Sequence, residues 1–150
     1  MKNLYCIYRI APEQIVLLLN GERVVTEYRT KTPPCSFGAP RGGTQPVPYQ
    51  GMWLRFFHSQ SINQPDRSKW LYHIGALIME SSPPFQVMAV SKWPILSGRE
   101  HPYINGHRFF KPRIVFPAGV LENAGGWDVA LGINDSLCAT VHVKPEQLNL

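Results

Sequence analysis

The hydrophobic pattern of this chain comes in short bursts separated by turn residues. Leu4–Ile10 (LYCIYRI), 14–19 (QIVLLL) and Arg23–Thr30 (RVVTEYRT) are aromatic and β-branched runs with breakers between them, and each predicts a strand. Ala11-Pro12 marks the first turn. Asn20-Gly21 predicts a type I′ hairpin, whose two central residues need positive φ. A Pro- and Gly-rich loop is predicted over 31–49, then a strand from Gly51 that ends on His58, then a polar loop over 60–68. The most apolar run is 70–79 (WLYHIGALIM); Gly75 and its β-branched content favour a buried strand over a helix. Ser81 to Pro84 break it, 85–90 forms a further short strand, 94–96 closes the unit, and 97–107 is polar. The last third repeats the plan, with strands at 113–122, 127–133 and Leu137–Val143 and a turn at 123–126.

These runs group into three strand-rich units, about 3–32, 40–97 and 112–145, within one all-β domain. Fourteen Pro and twelve Gly reinforce that reading, because both interrupt helices. Successive small antiparallel meanders joined by Pro/Gly loops are the pattern of β-propeller blades, and a β-sandwich is the alternative. Three blades do not close a ring, since propellers use about four or more. A propeller reading therefore makes the chain an incomplete one.

Charge and cysteine content narrow the function classes. The formal net charge is +5, yet Lys and Arg are scattered and no nucleic-acid motif is present, so nucleic acid is not an expected partner. Three widely spaced cysteines, without a CxxC pair, predict free thiols and a cytoplasmic setting. No apolar run is long enough to span a membrane as a helix, and the N-terminal stretch lacks signal-peptide features. No metal or organic cofactor is expected. His101 and His107 have no third ligand at a telling distance, and no nucleophile elbow, Walker loop or dinucleotide fingerprint occurs. Most carboxylates, Glu13, Glu22 and Glu27 among them, flank turns or strands and read as solvated.

The candidate chemistry centres on 41–59, RGGTQPVPYQGMWLRFFHS. Arg41 stands beside two glycines that allow close backbone approach, Thr44 and Gln45 lead into Pro46 and Pro48, and a rigid strand carries His58 at its end. Thr44, Gln45 and, from the polar stretch 97–107, Tyr103 are candidate rim residues. Asp135 lies in the tight Asn134-Asp135-Ser136 turn, where its carboxylate either caps the turn or faces a ligand.

Those blocks in their order, RGGTQPVPYQGMWLRFFHS, WLYHIGALIME followed by PPF and PIL, and KPRIVFPAGVLENAGGWDVALGINDS, resemble glycoside hydrolase family 130, the β-mannoside phosphorylases and related hydrolases. The likeness runs over about 2–143. It implies a five-bladed β-propeller with the sugar site at the mouth of its channel, a glycoside or oligosaccharide ligand, and inorganic phosphate as a candidate co-substrate. It places Arg41 at a phosphate-binding lysine of the family, His58 at a phosphate-binding histidine, Lys2-Asn3 at a basic-plus-Asn pair facing phosphate, and Asp135 at a carboxylate gripping sugar hydroxyls. Arg41 departs from the family's lysine, which leaves the choice between phosphate and water as acceptor open. The family's general-acid Asp lies upstream of these blocks. The chain is then expected to be the C-terminal part of such an enzyme, completed by further sequence or by a second chain, with catalysis itself undecided. A carbohydrate-binding or scaffold module is the alternative.

Overall fold

A computed structural model describes residues 4–19, 23–61, 71–98, 103–104, 107–108 and 114–150. The fold is all-β and built from several small antiparallel sheets. The first sheet holds β1 (Leu4–Ile10), β2 (Glu13–Leu19) and β3 (Arg23–Thr30) in that order. In the second, β4 (Arg41–Gly43) and β5 (Val47–Tyr49) both pair with the long β6 (Met52–Ser61). β6 pairs with β7 (Leu71–Met79), which also carries β8 (Val87–Val90) and β9 (Leu96–Ser97). A two-stranded pair, β10 (Tyr103–Ile104) and β11 (His107–Arg108), precedes the third sheet of β12 (Val115–Asn123), β13 (Gly126–Ile133) and β14 (Leu137–Val143). A short 3-10 helix, Pro145–Gln147, follows.

The three main sheets pack face to face in chain order, with the second in the middle. Side chains alternate along a strand, so β6 and β7 each supply two core faces. Leu54, Phe56, Ile74 and Ala76 join Val120, Trp127, Val129 and Leu131 in one cluster with the third sheet. Phe57, Leu77 and Met79 join Ile10 and Ile15 in another with the first sheet. Burial on both sides explains why 70–79 reads as an almost continuous apolar run rather than an alternating one. In β14, by contrast, Leu137, Ala139, Val141 and Val143 turn toward the core, while the residues between them are exposed.

The all-β expectation and most strand positions hold. No described sheet closes on itself, so the architecture is a layered, sandwich-like one. Two predicted loops contain strands: β4 and β5 fall inside 31–49, and β10 and β11 fall in or beside the polar stretch 97–107. The Asn20-Gly21 turn, Lys2, Asn3, Trp70 and His101 lie outside the described residues. Cys6, Cys35 and Cys138 are free thiols, as their spacing predicts.

Candidate functional site

The site is built on the β4 edge of the second sheet. Arg41 pairs with His58 and Gly43 with Phe57, so Gly42 is an extra residue in β4, a bulge that turns its carbonyl out of the ladder. Gly43 is dictated by space, because a Cβ there would stand 2.0 Å from the Phe56 carbonyl oxygen. His58 Nδ1 lies 2.6 Å from the Gly42 oxygen. A carbonyl only accepts, so Nδ1 carries the proton and Nε2 is the nitrogen left for a ligand. Tyr72 stacks on the imidazole at 5.9 Å between ring centres, 19° from parallel.

This environment fixes what His58 offers. Burial lowers its pKa below the ordinary histidine value and the Arg41 charge adds to the effect, against the opposing hydrogen bond to Gly42. At neutral pH the ring is therefore neutral, and Nε2 accepts a hydrogen bond from a hydroxyl, water or the P–OH of a monoprotonated phosphate. Protonation in acid turns Nε2 into a charged donor beside Arg41, whose exposed guanidinium is the site's permanent cation.

The other sequence candidates are placed differently. Thr44 is 1% exposed rather than on a rim, and its polar groups are spent within the fold. Its N–H donates to the Phe56 oxygen at 3.0 Å, its hydroxyl accepts the Phe56 N–H at 3.1 Å, and its carbonyl accepts Arg55 Nε–H at 2.7 Å. Gln45 is exposed, and its Nε2 donates to the Val120 carbonyl at 2.8 Å, tying β12 to the site loop. Asp135 is exposed in the β13–β14 turn, with φ of 49° and 54° at Asn134 and Asp135, and the Ser136 N–H closes the turn onto the Ile133 oxygen at 3.1 Å. Among the described residues no hydrogen bond or ion pair joins Asp135 to Arg41 or His58. Tyr103 is described only through its backbone pairing with Arg108. Asn3 lies outside the described residues.

Two ionisable residues near the site escape the sequence reading. Glu13, read as solvated, is 1% exposed, and Arg55 is 8% exposed. Burial pushes the Glu13 carboxyl up to about 7, against the Thr30 hydroxyl, which donates to it at 3.0 Å, the Arg55 charge and a Val87 backbone hydrogen bond. Arg55 Nη1 is buried and has no hydrogen-bond partner among the described residues. A signal was present: in MWLRFF a lone cation interrupts a run apolar on both faces, and a charge so placed is buried with it. Among the described residues no cluster of three or more His, Cys, Asp or Glu is arranged to hold a metal ion.

No family model and no curated protein matches the sequence. Among solved structures, the fold superposes on the β-1,2-mannobiose phosphorylase of Listeria innocua, solved with β-1,2-mannobiose, with a TM-score of 0.72 and 19% sequence identity. The chain shares its fold with a β-mannoside phosphorylase. The match takes in 97% of this chain and 42% of the phosphorylase chain, so the present chain spans about two fifths of that protein's length.

Proposed function

We propose that this chain is a carbohydrate-active segment of the β-mannoside phosphorylase and hydrolase type, its three main sheets serving as consecutive blades of a five-bladed propeller. The observation that carries this reading is the fold likeness over 97% of the chain to a protein solved with β-1,2-mannobiose. The strand contacts agree with it: β4 touches both β1 and β12, so the first strands of the three sheets gather on one side, as inner strands do around a shared axis. β-Mannosides are the proposed ligand class. Three free cysteines favour a cytoplasmic setting.

In this reading Arg41 and His58 hold the acceptor, phosphate or water, while Asp135 and Asn3 serve as sugar and phosphate contacts. In phosphorolysis with inversion, a phosphate oxygen bonds to the anomeric carbon as the glycosidic C–O bond breaks on the opposite side, and the leaving oxygen takes a proton from a carboxylic acid. Arg41 neutralises the attacking dianion. Neutral His58 accepts the P–OH hydrogen. The acid comes from a further part of the enzyme or from a second chain.

Calorimetric titration of phosphate and of β-1,2-mannobiose into the wild-type chain, Arg41→Ala and His58→Ala at pH 7.5 and 5.5 tests the assignment. Phosphate binding should tighten as pH falls, because protonation adds a second cation, and the gain should come below the ordinary imidazole range near ~6.5. Arg41→Ala should weaken it about tenfold or more. Phosphate binding indifferent to both substitutions overturns the site. Sugar binding without turnover in any assembled form would support a binding module instead.

A further inference from the structure

We propose that Arg55 is a positioning residue: backed by Glu13 from the first sheet, it fixes the Gly42 carbonyl and so decides which nitrogen His58 presents to its ligand. This rests on the reading of His58 as an acceptor-site residue. Arg55 lies three positions before His58 on β6 and on the opposite face, paired with Leu77 where His58 pairs with Ile74. At 8% exposure, with Nε spent on Thr44, it acts on the site through the backbone.

The path is short. Thr44 is held at its N–H, hydroxyl and carbonyl by Phe56 and Arg55. Gly43 lies against the Phe56 carbonyl so closely that no side chain fits. Gly42 is next, the bulged residue, with Arg41–His58 pairing on its other side. The direction of its carbonyl is thus set between the Arg55 clamp and that pairing, and the carbonyl in turn demands the proton on His58 Nδ1. A buried guanidinium with one nitrogen unpartnered among the described residues is an expensive way to fill space, and what it delivers is this hydrogen bond.

Glu13 supplies the counter-charge. Its carboxyl accepts the Thr30 hydroxyl from β3 and a Val87 backbone hydrogen bond from β8, and it feels the Arg55 charge from β6. The groups that bear on His58 are Arg41 from β4, the Gly42 carbonyl, and Tyr72 from β7. The two titrations are therefore separated in space and joined through Arg55.

Long-range proton–nitrogen correlation spectra of the imidazoles in the wild-type chain, Arg55→Lys and Glu13→Gln test this. The wild type should show His58 protonated on Nδ1, with a titration below the ordinary range. Arg55→Lys keeps the charge but loses the Nε donor; it should move His58 toward the Nε2–H form and, by removing the Gly42 hydrogen bond that holds its pKa up, lower its titration further, and phosphate binding should fall about threefold to tenfold. Glu13→Gln, which keeps the side-chain volume, should give a smaller shift in the same direction. An unchanged His58 spectrum in either folded variant overturns the proposal. If His58 responds to Arg55 while phosphate fails to bind the wild type, the functional reading falls and the positioning role stands. If phosphate binds through a His58 that is indifferent to Arg55, the positioning role falls and the functional reading stands.

Discussion

The two faces of the middle sheet come from the same strands, yet they form different joints. Toward the third sheet, Leu54, Phe56, Ile74, Ala76 and Leu96 pack in one apolar cluster with Val120, Trp127, Val129 and Leu131, and Trp127 sits edge-on to Tyr49 at 5.2 Å and to Phe56 at 6.2 Å. Toward the first sheet, Phe57, Leu77 and Met79 share their layer with buried Arg55 and His73, opposite buried Glu13. A cavity of about 250 Å³, lined by Tyr5, Ile15, Trp53, Met79 and Phe85 among others, opens on that same side. One joint is held mainly by dispersion and burial, and its buried cluster contains no carboxylate, imidazole or guanidinium. The other contains charge and unfilled space, so solution conditions act on it, and it is the joint whose arginine grips the site strand.

The largest expected effect breaks the apolar joint. Trp127 is 4% exposed and contacts two aromatics of the second sheet, Tyr49 and Phe56, so Trp127→Ala should cost about 3–5 kcal/mol through lost burial and the cavity left behind. Its ring partners, Tyr49 and Phe56, bring no carboxylate or imidazole to it, so the cost should be equal at pH 5 and pH 8. Urea unfolding at both values measures it. A cost that changes between them would mean that ionisable groups bear on this joint too, and the contrast would disappear.

Glu13→Gln probes the other joint, and its effect should depend on pH. The Glu13 carboxyl titrates at about 7 when folded, against an ordinary value of 4.5. Between those values the folded chain keeps a proton that the unfolded chain releases, so Glu13 contributes less and less to stability as pH rises through the window. The full shift corresponds to about 3 kcal/mol. Glutamine does not titrate. The variant should therefore gain on the wild type by about that amount between pH 4.5 and 7.5, and the difference should be flat below pH 4. A flat difference throughout would return Glu13 to solvent and leave Arg55 without its counter-charge.

These outcomes bear on how much of the molecule is legible in its sequence. Strands at Leu4–Ile10, Arg23–Thr30 and Leu137–Val143 are readable because each has a face that must be buried or solvated, and the pattern records it. β4 and β5 are not, since three residues each carry no period and their pairing is decided by β6. The Arg41–His58 pairing is foreshadowed by RGG at one end of the stretch and HS at the other, but the bulge at Gly42 is not, because a bulge is a register property of two strands. Thr44 looks like a rim residue because it sits among loop residues, and the fold spends its hydroxyl internally. Glu13 misleads for a similar reason. It follows Pro12 in a turn, where carboxylates are usually solvated, and only the packing of the first sheet on the second covers it.

The smallest expected effect is on the outward faces, where Tyr8 and Leu121 are each 73% exposed. Leu121 lies on β12 opposite Asp128, on the face of the third sheet that points away from the core, and Leu121→Ser in the present chain should change stability within about 0.5 kcal/mol. This makes it the reference against which Trp127→Ala is read, since both are apolar residues of one sheet and differ in which face they occupy. The comparison also bears on assembly. The phosphorylase that shares this fold is more than twice as long, and in the proposed propeller the outward faces of the first and third sheets would meet further sheets. Unfolding of Leu121→Ser and wild type should be followed over a hundredfold range of protein concentration. A small cost that does not vary with concentration means that the face is solvated in the chain as it stands. A cost of about 1 kcal/mol or more that grows with concentration means that Leu121 is already covered, by a second copy, and that the outward face behaves like the apolar joint on its other side.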